Sequence, residues 1–337
     1  MLLPGGDAII KQIVSGSSAD NVGVRLQNLM AQILTITLNP TIDVSGDAEV
    51  VRPTRKTRMS ATKYEPGGGG INVARVISIL GGDVKAVFLA GGEMGNFLDR
   101  LLKAEGIHRC LIPVSGQTRV AFMVRERSTG LEYRFIPEGT AVREDELKPC
   151  FEAIATQGAG YVISSGSLPA GAPSDTFARM ADRAGDFGLK FVLDSSGTGL
   201  QSALDRSRVF LVKPSRGELE QYAGGTLDDE GIARAALDLV KRGTATYVAV
   251  TLGADGAILA SANGLLRLPA IHVRVRSAVG AGDSFLGAMV LAMSQGKAAE
   301  DAFRFGMAAG AAAAMTAGTE LCKMSDVLNL YRAAQIE

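Results

Sequence analysis

The segment Ser277-Ala278-Val279-Gly280-Ala281-Gly282-Asp283-Ser284 runs directly into Phe285-Leu286-Gly287-Ala288-Met289-Val290-Leu291-Ala292-Met293. The second part is an apolar run that predicts a buried helix, and the small residues ahead of it predict a tight turn at the helix N-terminus. A helix starting near Gly282 would point free N–H groups and the positive end of its dipole out of that turn, where an anion could sit. Asp283 would stand beside the anion. A carboxylate in that place is not there for charge attraction, so it reads as a general base. It reads equally well as a helix cap on a plain glycine turn.

Composition narrows the field. The chain has 337 residues and is 47% hydrophobic, enough for the core of one large domain or two small ones. Lys plus Arg and Asp plus Glu both number 35, so no net field attracts nucleic acid or an anionic membrane. His108 and His272 are the only histidines, and Cys110, Cys150 and Cys322 form no Cys-x-x-Cys pair. This disfavours metal and disulfide frameworks and points to a reducing compartment. There is no Gly-x-Ser-x-Gly nucleophile elbow. The Ala-rich run from Phe305 to Thr319 is shorter than the roughly 20 residues of a membrane span and reads as a close-packed buried helix. No secretory signal is evident, so the expectation is a cytoplasmic protein.

Residues 1–31 have weak periodicity, and they read as an N-terminal extension: a genuine segment, a disordered tail or an upstream start. Ile33 to Leu38 predicts the first strand of a domain covering 32–337. Asp43 follows that strand, where open α/β sheets bind ligands, though a turn aspartate would look the same. Lys56 and Arg58 are two apart, so in a strand they would share one face, as a phosphate clamp or as a solvated edge. Pro66-Gly67-Gly68-Gly69-Gly70 leads into a helical pattern from Ile71 to Leu80, which favours close backbone approach to a ligand over a flexible linker. Neither a Walker motif nor a Gly-x-Gly-x-x-Gly fingerprint occurs in strand–helix context.

Thr118–Val124 and Glu132–Ile136 predict a hairpin carrying Arg119 and Arg134. Together with 44–64, the region 118–137 predicts a small β-sheet separate from the main body and placed to act as a lid. From Arg143 onward helices alternate with Val- and Leu-rich strands that lack polar alternation, as in a parallel sheet covered on both faces. The turns Ser165–Pro169, Asp194–Gly197, Lys213–Ser215 and Thr251–Gly253 would line one edge of it. Residues 255–275 predict short antiparallel strands.

The segments Asn39–Asp43, Pro66–Arg75, Gly166–Pro169, Asp194–Gly197 and Val279–Ser284, in this order and spacing, resemble the motifs of ribokinase-type (PfkB) carbohydrate kinases. The four-glycine run and the segment from Arg304-Phe305-Gly306 to Cys322 resemble most the minor-type ATP-dependent 6-phosphofructokinase branch. The resemblance covers residue 33 to the C-terminus and implies a doubly wound, mostly parallel α/β domain with a β lid that mediates homodimerisation. It implies phosphorylation of fructose 6-phosphate, a glycolytic step, using ATP and magnesium, with a monovalent cation left open.

By the same resemblance Asp283 is the base, and Gly280, Ala281 and Gly282 form the anion hole. Asp43, Gly68, Gly69, Asn72 and Ser167 match sugar-binding positions, and Lys56, Arg58 and Arg119 match positions that hold the substrate phosphate. Lys213, Ser215, Glu218, Thr251, Gly253, Gly256 and Ser277 match the nucleotide side, with Glu218 reaching magnesium through water. The family's Asn-x-x-Glu pattern is Ser215-Arg216-Gly217-Glu218 here. The alternatives are 1-phosphofructokinase, tagatose-6-phosphate kinase and, in another class, a non-catalytic sugar-phosphate or nucleotide sensor.

Overall fold

The computed structural model describes residues 33–156 and 160–334, and the extension expected over residues 1–31 lies outside them. The fully buried strand β1 (Ile33–Thr37) leads into β2 (Thr41–Ala48), β3 (Ser60–Gly67), helix α1 (Gly69–Ile79), β4 (Val84–Ala90), α2 (Gly92–Ala104) and β5 (His108–Pro113). Next come β6 (Arg119–Glu126), β7 (Glu132–Phe135), α3 (Glu144–Thr156), β8 (Tyr161–Ser165), α4 (Thr176–Asp186), β9 (Lys190–Asp194) and α5 (Gly197–Arg206). The remainder is β10 (Val209–Val212), α6 (Arg216–Ala223), α7 (Asp229–Lys241), β11 (Ala245–Thr251), β12 (Ala257–Ser261), β13 (Gly264–Leu268), α8 (Ala281–Ser294), α9 (Ala299–Ala314) and α10 (Met324–Ala333).

Among the described residues nine strands form the main sheet, in the order β13-β12-β11-β10-β9-β8-β1-β4-β5. Seven of them, β5 through β11 in that order, are parallel, and β12 and β13 close the edge antiparallel. Alternation along β1 sends Leu34 and Ile36 to one face and Thr35 and Thr37 to the other. The first face packs against Leu147, Phe177, Leu200, Leu219 and Ile232 of helices α3 to α7. On the second face α1 lies over β1, β4 and β8, backed by α8 and then α9. This is the doubly wound sheet the sequence predicts. The chain leaves β1 toward β4 on one side and reaches β8 on the other, so the strand order reverses beside β1.

A separate sheet of four strands, in the order β3-β2-β6-β7, joins the predicted hairpin to the 41–67 region. One expectation changes. Lys56 and Arg58 do not lie in a strand; they are exposed in the connection between Ala48 and Ser60. Pro53 offers no ladder donor there and Thr54 takes a positive φ of 61°, so strand pairing stops. The sequence reading also passed over β5 and α5.

Packing is tight at the start of α1, where a Cβ on Gly70 would lie 2.5 Å from Thr37 Oγ1 and 2.6 Å from Ile36 O. Gly70→Ala is therefore expected to cost about 1–3 kcal/mol by overpacking, read as a lower urea midpoint at unchanged slope. An unchanged midpoint would show that α1 is not seated on β1 as described.

Candidate active site

A cleft of about 330 Å³ opens at the carboxyl ends of β1, β8 and β9, beside the reversal of strand order. Open α/β sheets place ligands there because the loops on either side diverge. The small sheet forms the opposite wall: Thr41, Asp43, Arg119, Ala121 and Arg134 line the cleft. Strand register explains the grouping. Thr41 pairs with Arg119, Asp43 with Ala121 and Met123 with Arg134, so all of these point to one face. The other face carries Tyr64, Phe122 and Phe135, all exposed.

Gly280 caps α8 with φ 73°, a left-handed conformation suited to glycine, and no side chain among the described residues closes the helix N-terminus. The Gly282 and Asp283 N–H groups find no acceptor among the described residues, so the turn presents unpaired donors as expected. Asp283 is not a cap. Its Oδ2 accepts a hydrogen bond from Asn72 Nδ2 at 2.9 Å, which places α8 and α1 side by side at the cleft. Burial, then the charge of Asp194, pushes the Asp283 carboxyl from 3.8 up to about 6, against the opposing pull of Asn72 and Lys213. Asp43 is pushed up to about 6 by burial and by Glu65, opposed by Arg134, Arg75 and Arg119.

Glycines bring the backbone to this point. A side chain at Gly67 would collide with the Asp43 carboxylate and one at Gly69 with Ser165 Oγ, while Gly68 has φ 106°. The run is a packed junction, not a linker. Arg119 donates to three carbonyls, Asn39 at 2.9 Å, Pro137 at 2.7 Å and Pro40 at 3.4 Å, so it also clamps the entry to β2. Ser167 Oγ accepts from Asn39 Nδ2 at 3.2 Å.

Lys213 is buried at the end of β10, with its Nζ 3.0 Å from Asp194 Oδ1 and 3.5 Å from where a Cβ on Gly282 would be. Burial opposes its charge, but Asp194 more than offsets this and the ammonium titrates above its usual range. Ser215 caps α6 in a capping box: its Oγ accepts from Glu218 N at 3.3 Å, and Glu218 Oε2 accepts from Ser215 N at 2.7 Å. Thr251 lies alongside through the Ser215–Thr251 bridge, ahead of the turn Gly253–Asp255 and Gly256. Ser277 donates to Glu132 Oε2 at 3.3 Å, tying the small sheet to the α8 turn.

The cleft thus brings together Asp43, Gly68, Gly69, Asn72, Arg119, Ser167, Glu218, Gly280 and Asp283. Ala281 and Gly282 adjoin it through the chain, and Lys213 lies beneath. Thr251, Gly253, Gly256 and Ser277 are outside its lining, as are Lys56 and Arg58. Arg134 and Asp194 line it as well, beyond the site residues that the sequence assigns; the signal available for Arg134 is its charge beside that of Arg119 on the predicted hairpin. A more open groove of about 600 Å³ lies at the opposite edge of the sheet beside Arg206, Arg208 and Arg242, away from these groups.

The cleft therefore holds a buried carboxylate at an uncapped helix N-terminus, together with polar groups and cations. The chain belongs to the pfkB family of carbohydrate kinases, whose profile it matches over residues 31–326. It is 40% identical over 307 residues to the ATP-dependent 6-phosphofructokinase isozyme 2 of Mycobacterium tuberculosis, covering 90% of each chain. It is 34% identical to the 1-phosphofructokinase of Haloferax volcanii, covering 88% of this chain and 95% of the other. Phosphofructokinase-2 from Escherichia coli in complex with potassium superposes with a TM-score of 0.87 at 35% identity, over 91% of this chain and all of that one. The same enzyme in complex with fructose-6-phosphate gives 0.86 at 34%, with equal coverage.

The raised Asp283 carboxyl sets a stability test. Its folded value of about 6 lies above the ordinary 3.8, so its contribution to stability is full below pH 4 and is lost as pH rises through 6. Asp283→Asn removes that loss. The variant is expected to be more stable than wild type at pH 8, by up to about 3 kcal/mol, with the gap closing toward pH 4. Thermal unfolding at both pH values checks this; a variant no more stable at pH 8 would contradict the burial.

Proposed function

We propose that the chain transfers the γ-phosphoryl group of ATP to the 1-hydroxyl of fructose 6-phosphate. The observation that carries this reading is Asp283 standing beside the unpaired N–H groups of α8, in one cleft with Asp43, Asn72, Arg119 and Arg134. Asp283 takes the hydroxyl proton as the hydroxyl oxygen bonds to the γ-phosphorus. The bond from that phosphorus to the β–γ bridging oxygen breaks, and ADP leaves. The N–H groups at the α8 turn stabilise the charge on the transferring group, with the Lys213 ammonium beneath them. Asp43, Gly68, Gly69, Asn72 and Ser167 bind the sugar.

Arg119 and Arg134 are the cations of the cleft that would meet the 6-phosphate, a dianion that an unphosphorylated sugar lacks. In this reading Lys56 and Arg58 contribute nothing within a single chain. They lie in the connection between β2 and β3 of the small sheet, whose outer face aligns Tyr64, Val44, Phe122 and Phe135 in register across all four strands. That row suits a second copy of the chain, with the small sheet serving as both lid and dimer contact.

Magnesium fits the donor set as an ion that arrives with the nucleotide. Among the described residues no group of three or more His, Cys, Asp or Glu could hold a metal unaided, while Glu218 keeps Oε1 free of hydrogen bonds. Such an ion uses few protein carboxylates and would neutralise phosphate charge during transfer. Ser215 gives no support to a non-catalytic sensor, because its capping role accounts for it.

The test is ADP release with fructose 6-phosphate, fructose 1-phosphate, tagatose 6-phosphate and unphosphorylated sugars, in sodium and in potassium. Turnover is expected to be greatest with fructose 6-phosphate. Preference for fructose 1-phosphate would reassign the acceptor, and no turnover with any sugar would favour the sensor. Asp283→Asn should lower kcat by about 10²–10⁴ with sugar binding retained. Arg134→Ala should raise the KM for the sugar phosphate at least 10-fold while leaving that for ATP nearly unchanged; equal rises in both would remove Arg134 from the phosphate clamp.

A further inference from the structure

Asn72 does more in this geometry than line a sugar pocket. A carboxylate can only accept hydrogen bonds, so the amide nitrogen must be the end that faces Asp283, and the bond runs from Nδ2 to Oδ2 at 2.9 Å. Asn72 sits in the first turn of α1, where its backbone N–H donates to Gly68 O at 2.9 Å and its side chain is buried. It cannot follow a wandering carboxylate. Among the described residues Asp283 Oδ1 accepts no hydrogen bond, and neither does Asn72 Oδ1.

We infer that Asn72 is a positioning residue for the base: it holds Oδ2 of Asp283 so that Oδ1 is the oxygen presented to the acceptor hydroxyl. The inference rests on the kinase reading above. Without this bond the Asp283 carboxylate can rotate about its Cβ–Cγ axis, and the base spends less time aimed at the proton. The bond also favours the ionised form, against burial and the charges of Asp194 and Asp43 and alongside Lys213. Removing it therefore raises the pH at which the base becomes active.

The experiment compares kcat/KM for fructose 6-phosphate from pH 5 to 9 in wild type, Asn72→Ala and Asn72→Asp. Both substrates also titrate near pH 6, but identically in all three proteins, so differences between profiles belong to the enzyme. The acid limb is expected to move up by about one pH unit in Asn72→Ala and further in Asn72→Asp, with kcat at pH 8 about 10-fold lower in the alanine variant. Asn72→Asp keeps the shape of the side chain, so it carries the test if the alanine variant does not fold. A rise in KM alone, with kcat and the acid limb of either folded variant unmoved, would overturn the inference and leave Asn72 a plain sugar ligand. An inactive wild type would instead sink the kinase reading itself.

Discussion

Where β3 passes into α1, four consecutive glycines leave no side chain between the backbone and Asp43, Thr37 and Ser165, so the small sheet, β1 and β8 meet at contact distance. Such an approach is open only to glycine, whose conformational freedom is otherwise a cost to folding. Arg75, one turn into α1, offsets part of that cost. It donates to Pro66 O at 3.1 Å and to both oxygens of Glu105 at 2.7 and 2.9 Å, with Glu65 3.6 Å away. A buried guanidinium is tolerable because each side of its fork finds an acceptor, and losing one partner would leave a charge stranded. Thr319, hydrogen-bonded to Glu65, joins the segment after α9 to the same junction. The first turn of α1 is thereby fixed against α8, and Asn72 comes to face Asp283.

The charges around the cleft make sense only with an anion in view. Burial raises the proton affinity of Asp43, Asp194 and Asp283, and the charges of Asp194 and Asp43 add to it at Asp283, an arrangement unfavourable to folding near neutral pH. Lys213, Arg119 and Arg134 lie among them, and the α8 turn adds unpaired donors. A phosphate entering this cleft would meet positive groups already in place, and a hydroxyl would meet a carboxylate half-way between its charged and neutral forms at about pH 6. Strain of this kind is expected at a catalytic site, where stability is given up for function.

Much of this was legible in the residues because the signals are local. Apolar Val- and Leu-rich strands, each ending in a Gly- or Ser-rich turn, identify the parallel sheet, and the Gly280 to Asp283 turn is decided within one helical turn. Where the sequence reading failed, the deciding physics was distant or context-dependent. Helix α5 opens with Gly197-Thr198-Gly199, poor helix formers, and is held by burial of Leu200, Ala203 and Leu204 in the core. The spacing of Lys56 and Arg58 has meaning only in a strand, and Pro53 with Thr54 prevents one. Arg134 was visible as a charge, but its direction depends on which residue of β6 it faces, which pairing across the hairpin determines.

Ser215 shows how one substitution can read as damage in sequence and as construction in structure. At the position where the family pattern has asparagine, a serine looks like a lost ligand. In place it is the N-cap of α6, a role for which serine and asparagine are nearly equivalent, and it fixes Glu218 through a reciprocal pair of hydrogen bonds. The capping box occupies Glu218 Oε2, and the charge of Glu218 acts on both members of the Lys213–Asp194 pair. A carboxylate with no such bond would be free to rotate. One that is half used as a cap is held in one place at the start of α6, and the serine thus fixes the Glu218 carboxylate as an asparagine cap would.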